Sequence, residues 1–310
     1  MIKKLLVSLA LICSISSVFA QSHTVCGSND PANPDNAYLQ SADFIKAQEQ
    51  LEEFTRKYAA AQSSKRSGAA NTKIIPIVFH VIHNYGPENI SKKAILDQIE
   101  ALNLDFKRLN ADTGKLNPLY KDRAANPDVE FRLAQIDPNG KCTDGIVRVV
   151  SKLTYDASDK TKALSFWPAD KYFNVWVVNG IEGSEGGNIV LGRSQFPGGA
   201  NATDGVLLNY QVCGKDAGPF NNYGRTLTHE VGHSLNLRHI WGDQACGNDQ
   251  VNDTPVHTGA NSGCPSGKKS TCNGTTTEDM IENYMDYSDG SCQNMFSNGQ
   301  NTRMQAVLSS

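Results

Sequence analysis

After residue 20 the chain lacks any apolar run long enough to cross a bilayer, which excludes a membrane-spanning helix there. It also lacks an excess of charge: 29 Lys and Arg face 32 Asp and Glu, for a formal net charge of −3. No strong pull toward nucleic acid or anionic lipid follows from that balance. No internal repeat and no low-complexity tract is present, so a solenoid or a fibrous array is excluded. Histidine is scarce, with seven in 310 residues, yet three of them fall within one eleven-residue stretch. The remainder is ordinary globular composition, 39% hydrophobic and 20% charged, in a chain long enough to bury a sizeable core.

The first twenty residues, "MIKKLLVSLALICSISSVFA", have a basic start, an apolar middle and a small-residue end. They read as a secretory signal peptide (1–20) cut before Gln21, and the mature protein is expected to be secreted, or extracellular. Export permits disulfides. Cys13 leaves with the signal, and Cys26, Cys142, Cys213, Cys246, Cys264, Cys272 and Cys292 remain. An odd number leaves at least one thiol without an intramolecular partner.

Residues 21–66 are polar and include "SADFIKAQEQLEEFTRKYAAA", where Phe44, Leu51, Phe54 and Tyr58 fall at helical spacing. The helix ends in a small, polar stretch containing Lys65-Arg66, the kind of segment that proteases nick. A propeptide over 21–66 is the expectation, followed by one domain over 67–310. Within it, "KIIPIVFHVIH" (73–83) reads as a buried strand. "ISKKAILDQIEALNLDFKRLN" puts Ile95, Ile99, Leu102 and Phe106 on one helical face, with Ser91 as N-cap. Further strands are expected at "VEFRLAQID", "GIVRVV", "YFNVWVVNGI", "GNIVLGRSQF" and "GVLLNY". From 240 onward regular patterning fades into Gly, Asn, Asp, Ser and Cys. The fold class is therefore mixed α/β (α+β): an upper lobe (67–239) with a twisted mixed sheet and helices, and an irregular, disulfide-crosslinked lower lobe (240–310). An active-site cleft lies between the two.

At the join stands "HEVGHSLNLRH". His229 and His233 are four apart, so on a helix they share a face and can both reach one zinc ion. Glu230 lies beside His229, placed to act as a general base on a metal-bound water. His239 is ten residues after His229, which on a continued helix is about 15 Å along the axis. It can join the same metal only if the helix stops after His233 and the chain turns back. Asn236 is the candidate stop, because Asn tolerates the left-handed conformation that ends helices. Three neutral protein ligands leave the fourth zinc position for water, the mark of a catalytic site, and amide hydrolysis is the reaction implied. His80 and His83, three apart on a strand, face opposite ways and read as core or surface residues.

The stretch "HEVGHSLNLRH" resembles the long zinc motif of the metzincin metalloproteases, with Asn236 where that motif has Gly. "ENYMDYS" resembles the clan's methionine turn and supplies Met285 and Tyr287. "HIWGD", "LGRSQFPGG", "DTP" and "NYMDYS" together resemble the pappalysin family over residues 73–310. The resemblance implies a metzincin-like fold and a zinc endopeptidase. Tyr287 would stand near the zinc, Met285 would pack beneath it, and "GNIVLGRSQF" would form the rim along which an extended peptide adds. An acidic residue just before the last cysteine accompanies a basic preference in some relatives; here that position is Ser291.

Asp243, Asp249, Asn252, Asp253 and Thr254 crowd one loop with oxygen ligands of the kind that suit Ca²⁺. The resemblance implies a calcium ion there, at Asp249, Asp253 and Thr254. Cys246, Cys264, Cys272 and Cys292 allow three pairings, and their spacing alone chooses none. The resemblance favours Cys246 with Cys272 and Cys264 with Cys292, leaving Cys142 and Cys213 for a third pair. Cys26, remote in sequence from these six, is the candidate odd thiol; the alternative is that it pairs with another cysteine or is inert. A thiolate is a strong zinc ligand, so Cys26 can fill the fourth zinc position and hold the precursor latent, with Gly27 allowing close approach.

The reading is a secreted zinc endopeptidase made as a zymogen, monomeric, with a protein or peptide substrate, zinc and calcium as cofactors, and no nucleic-acid partner. The competing reading is a catalytically inactive, secreted zinc-binding or adhesion module, against which Glu230 argues, since a structural site needs no base.

Overall fold

The computed structural model describes residues 26–63, 72–184, 189–216 and 218–310. The expected signal peptide and the Lys65-Arg66 pair lie outside the described residues. Strand β1 (Lys73–His83) is buried continuously from Ile77 onward, the mark of a central strand covered on both faces. It pairs in parallel with β2 (Val129–Leu133) along its first half and with β3 (Ile146–Val150) along its second. On its other edge it pairs in parallel with β4 (Phe173–Val178). Beyond β4 comes β6 (Val206–Asn209), again parallel. Then β5 (Gly192–Ser194), antiparallel to β6, ends the sheet, with no further strand at its outer edge among the described residues.

Helix α2 (Lys92–Phe106) begins where the Ser91 side chain accepts from the Ala94 N–H at 3.2 Å. It buries Ile95, Leu102 and Phe106 in one core with Phe79, Val81, Val175 and Val177 of the sheet. Beyond the short α3 (Asp159–Lys162), helix α4 (Arg225–Ser234) adds Leu227 and Val231 to the same core. Tyr284, Met285, Phe296 and Met304, from beyond residue 240, complete it. The C-terminal part is therefore tied to the sheet by packing as well as by crosslinks.

Helix α1 (Ala42–Ser63) departs from the expected apolar stripe. Phe44 is buried, but Phe54 is 36% exposed. The docking face is instead largely polar. Gln48 donates to the Pro197 carbonyl at 2.6 Å. Glu52 accepts from Arg303 of helix α5 (Asn298–Val307) at 2.8 Å. Helical spacing fixed the helix but not which of its faces would be covered.

The loop-rich part also contains a hairpin, β7 (Lys269–Cys272) and β8 (Thr275–Glu278), that apolar patterning did not reveal. Its strands are mostly Thr and charged residues, so no alternation shows. The signal was Asn273-Gly274, both at positive φ (51° and 77°), a dipeptide suited to a two-residue hairpin turn. Cys246 is bonded to Cys272 and Cys264 to Cys292, with Cα separations of 5.5 and 5.9 Å. The third pair does not form: Cys142 and Cys213 are free. They flank β3 and β6, which β1 and β4 separate in the sheet. At ~4.8 Å per strand spacing that is roughly 14 Å, beyond disulfide reach.

Replacing both Cys264 and Cys292 by Ser is expected to lower the unfolding free energy by about 3 kcal/mol. Thermal denaturation of the double variant, with the Cys246–Cys272 bond left oxidised, checks this.

Candidate active site and metal centre

Helix α4 carries His229 and His233 one turn apart, and every residue from Arg225 to His233 is buried. The helix ends at Ser234, and Asn236 sits at φ 65°, in the left-handed region. The Asn236 N–H donates to the His233 carbonyl and the Leu237 N–H to the Gly232 carbonyl, both at 2.9 Å. These two bonds are a Schellman stop with Asn in the place usually taken by Gly. The stop turns the chain back and brings His239 beside the other two imidazoles. Its own Leu237 carbonyl holds His233 Nδ1 at 2.8 Å.

The other two rings are oriented in the same way. His229 Nδ1 bonds the Tyr284 carbonyl at 2.6 Å, and His239 Nδ1 bonds the Asp243 carboxylate. These oxygens only accept, so each Nδ1 carries the proton and each Nε2 presents a lone pair. The three Nε2 atoms converge: His233 Nε2 is 3.1 Å from that of His229 and 3.2 Å from that of His239. Cys26 Sγ lies 3.4 Å from His233 Nε2. Lone pairs this close repel one another unless a cation stands between them. Ligand atoms at 2.0–2.1 Å in a tetrahedron around zinc are about 3.4 Å apart, so the donor set fits that ion. Burial, then the neighbouring His239, pushes His229 down to about 3, and His233 is pushed down by the same causes. Both rings are therefore neutral and able to ligate.

Glu230 is fully buried beside this cluster. Its Oε2 accepts from Ser28 Oγ at 2.9 Å and lies 3.7 Å from Cys26 Sγ. Its Oε1 has no hydrogen-bond partner among the described residues. Burial pushes the carboxyl up to about 8, with the Ser28 and Cys26 hydrogen bonds partly opposing that rise. Gly192 of β5 lies against it, and a Cβ there would collide with the carboxylate. Tyr287 donates from its hydroxyl to the Cys26 carbonyl at 3.3 Å, and its ring meets His239 edge-on at 5.0 Å. Met285 is buried against the helix, where its sulfur occupies the space a Cβ on Gly232 would need.

The segment bearing Cys26 lies along the open edge of β5. Cys26 forms a parallel bridge with Gly192, and the Gly27 N–H donates to the Gly192 carbonyl at 2.8 Å. The Ser194 N–H donates to Ser28 Oγ at 2.7 Å.

A family profile described as Pregnancy-associated plasma protein-A matches residues 156–309. An extracellular metalloprotease of Verticillium alfalfae is 31% identical over 245 residues, covering 76% of each protein. This chain belongs to the pappalysin family. Among solved structures, mature mirolysin of Tannerella forsythia in complex with a cleaved peptide is 40% identical. It superposes with a TM-score of 0.70 over 76% of this chain and 91% of that one. Promirolysin of the same organism, carrying a Glu-to-Ala substitution, is 36% identical with a TM-score of 0.76. It covers 91% of this chain and 92% of its own. The fold is that of a metzincin, and the protein is an extracellular metalloendopeptidase.

Within this pappalysin, several site contacts escaped the sequence reading. Asp243, grouped there with the calcium loop, instead orients His239. Trp241 stacks on the His239 ring at 4.4 Å and 3°. Both belong to "HIWGD", whose position two to four residues past the last histidine was the available signal. Tyr284, whose carbonyl orients His229, is pinned by its hydroxyl on Asp105 at 2.7 Å. Thr228 also donates to Asp105, at 2.8 Å. Only the fold brings Asp105 there from helix α2.

The expected calcium residues do not act as one open set. Asp249 accepts from Thr254 Oγ1 at 2.7 Å and from the Val251 N–H at 3.0 Å. Asp253 is engaged by Ser297 Oγ at 2.6 Å and the Gly299 N–H at 2.9 Å, at the start of α5. His80 is a core residue, bonded to Ser165 and Asn174 at 2.8 and 3.0 Å, and His83 is buried too.

Because Asn236 is left-handed, Asn236→Gly is expected to retain metal and stability. Asn236→Val should lose about 1–3 kcal/mol and bind metal more weakly, since a β-branched residue is strained at positive φ. Zinc stoichiometry and melting temperature of the two variants check this; equal behaviour would remove the case for the helix stop.

Proposed function

We propose that this protein is a zinc endopeptidase precursor in which residues 26–63 cover the site and Cys26 blocks the metal. The observation that carries the reading is the convergence of four ligand atoms, from Cys26, His229, His233 and His239, all within 4.8 Å of one another. Zinc held there supplies a Lewis acid that polarises a carbonyl and lowers the pKa of a water.

The chain's own groups do the rest. His229, His233 and His239 stay as ligands, and Cys26 leaves the fourth position when its segment departs. Glu230 Oε1, without a partner among the described residues, then takes a proton from water and delivers it to the leaving amine. The Tyr287 hydroxyl now donates to the Cys26 main-chain carbonyl. The same donor can serve the oxygen of a scissile carbonyl in that place, where it would be charged in the transition state. The outer edge of β5, now bridged to Cys26, offers main-chain partners to an extended substrate. Met285 and Asn236 act through packing and backbone shape and touch no reacting atom.

The polypeptide would divide into a signal peptide (1–20), a propeptide (21–66) and a catalytic domain (67–310), with release by a cut at Lys65-Arg66. Coverage supports this division: the latent relative matches 91% of the chain and the mature relative 76%. Asp249, Asp253 and Thr254 are the residues that would hold calcium; the Asp249 and Asp253 carboxylates accept from protein donors, and Thr254 Oγ1 donates to Asp249. The inactive-module alternative is disfavoured by a fully buried base adjoining the ligands, which a structural metal does not require.

Glu230→Ala is expected to keep about one zinc per chain while losing a hundredfold or more in activity after activation. Casein or gelatin cleavage, with metal content measured on the same sample, checks this. Retained cleavage at the wild-type rate would sink the role of Glu230. Cys26→Ala is expected to make the uncut precursor active or self-processing. A Cys26→Ala precursor as latent as wild type would rule out a thiol block.

A further inference from the structure

Arg193 of β5 is 2% exposed, and its Nη1 has no hydrogen-bond partner among the described residues. Its Nη2 is ion-paired with Asp35, which belongs to the N-terminal segment. The same Asp35 Oδ2 accepts from the Asp159 N–H at 2.7 Å. Guanidinium and main-chain N–H thus form a cradle holding one carboxylate. Both donors come from the body of the protein, whereas the carboxylate is borne by the segment that covers the cleft. The Asp159 side chain makes a longer ion pair with Arg193, at 3.8 Å, and a closer one with Lys162, at 3.1 Å.

The cradle adjoins the N-terminal segment where that segment meets the β5 edge. Arg193 follows Gly192, the residue bridged to Cys26, and lies on the opposite strand face from the one Gly192 turns to Glu230. An ideal Cβ on Gly27 would lie 3.7 Å from both Cβ and Cδ of Arg193. A side chain at that backbone position would therefore run along Arg193 toward the cradle. Gly27 has none, and Asp35 reaches round from nearby to fill the place.

We infer that, once the N-terminal segment leaves, the Arg193–Asp159 cradle is a substrate subsite that takes an acidic side chain, Asp or Glu, close to the scissile bond. The inference rests on the proposed peptidase reading. The departing Asp35 leaves a buried guanidinium with its nearest carboxylate at 3.8 Å. An acidic side chain restores the lost pair, whereas an amide of the same shape does not. This is a demand on the substrate separate from the one Ser291 bears on.

The test uses the full chain, activated by limited trypsin at Lys65-Arg66 and then freed of trypsin. A neutral quenched fluorogenic peptide that it hydrolyses is varied to Asp or Asn, and to Glu or Gln, at each position within about four residues of the cut. At one position the acid is expected to raise kcat/KM about tenfold over its amide, the scale of a desolvated charge pair. Arg193→Gln should bring that ratio to near one while the neutral peptide is still cleaved. Arg193→Lys, which keeps the charge without the fork, should fall between. A ratio near one at every position of the wild type overturns the inference without need of any variant. So does an acid preference that survives Arg193→Gln. Failure to hydrolyse any peptide overturns the peptidase reading and this inference with it.

Discussion

Three neutral imidazoles must present their lone pairs to one point, and much of the described structure serves that requirement. Converging acceptors repel, so each ring has to be fixed from behind. The Tyr284 carbonyl, the Leu237 carbonyl and the Asp243 carboxylate do this by fixing the Nδ1 proton. Two of those anchors depend on the chain reversing after His233, which Asn236 brings about at φ 65°. The third depends on the methionine turn, whose Tyr284 is tied to Asp105 in α2 and whose Met285 sits against Gly232. Burial then keeps His229 and His233 neutral, the state a metal needs.

The covering segment is attached by different chemistry from the sheet behind it. The sheet is held by a continuous apolar core from Ile77 to Met304. The segment is held by Asp35 on Arg193, Glu52 on Arg303, Gln48 on Pro197 and Ser28 on Glu230, with Phe44 as one of its few buried apolar side chains. Polar contacts of this kind exchange for water at small net free energy, while an apolar interface would be exposed at full cost. A segment bound in this way can leave without unmaking the domain. Its contacts reach Glu230, strand β5 and the histidine cluster.

Much of the site was legible because it is local. His229, Glu230, His233 and His239 lie within eleven residues, and helical geometry together with the left-handed tolerance of Asn decides where they can point. Strand β1 and helix α2 were legible for the same reason, since periodicity and a serine cap are short-range signals. The β7–β8 hairpin was not, because its polar strands carry no alternation and only its turn spoke for it. Helix α1 was legible as a helix, yet the face it buries was not, because partners such as Arg303 and Pro197 lie far away in sequence.

By itself, then, the sequence determined the three-histidine cluster with Glu230 beside it, the helix stop and the strands with strong apolar pattern, all of which follow from spacings of a few residues. Tertiary structure alone decided that Cys142 and Cys213 stay apart, that Asp243 serves a histidine, and that Asp105 braces the methionine turn. It alone joined Asp35 to Arg193 across 158 positions. The physical reason is common to these cases. A contact between distant residues depends on which strands lie between them and which faces meet, and local propensity carries no information about either.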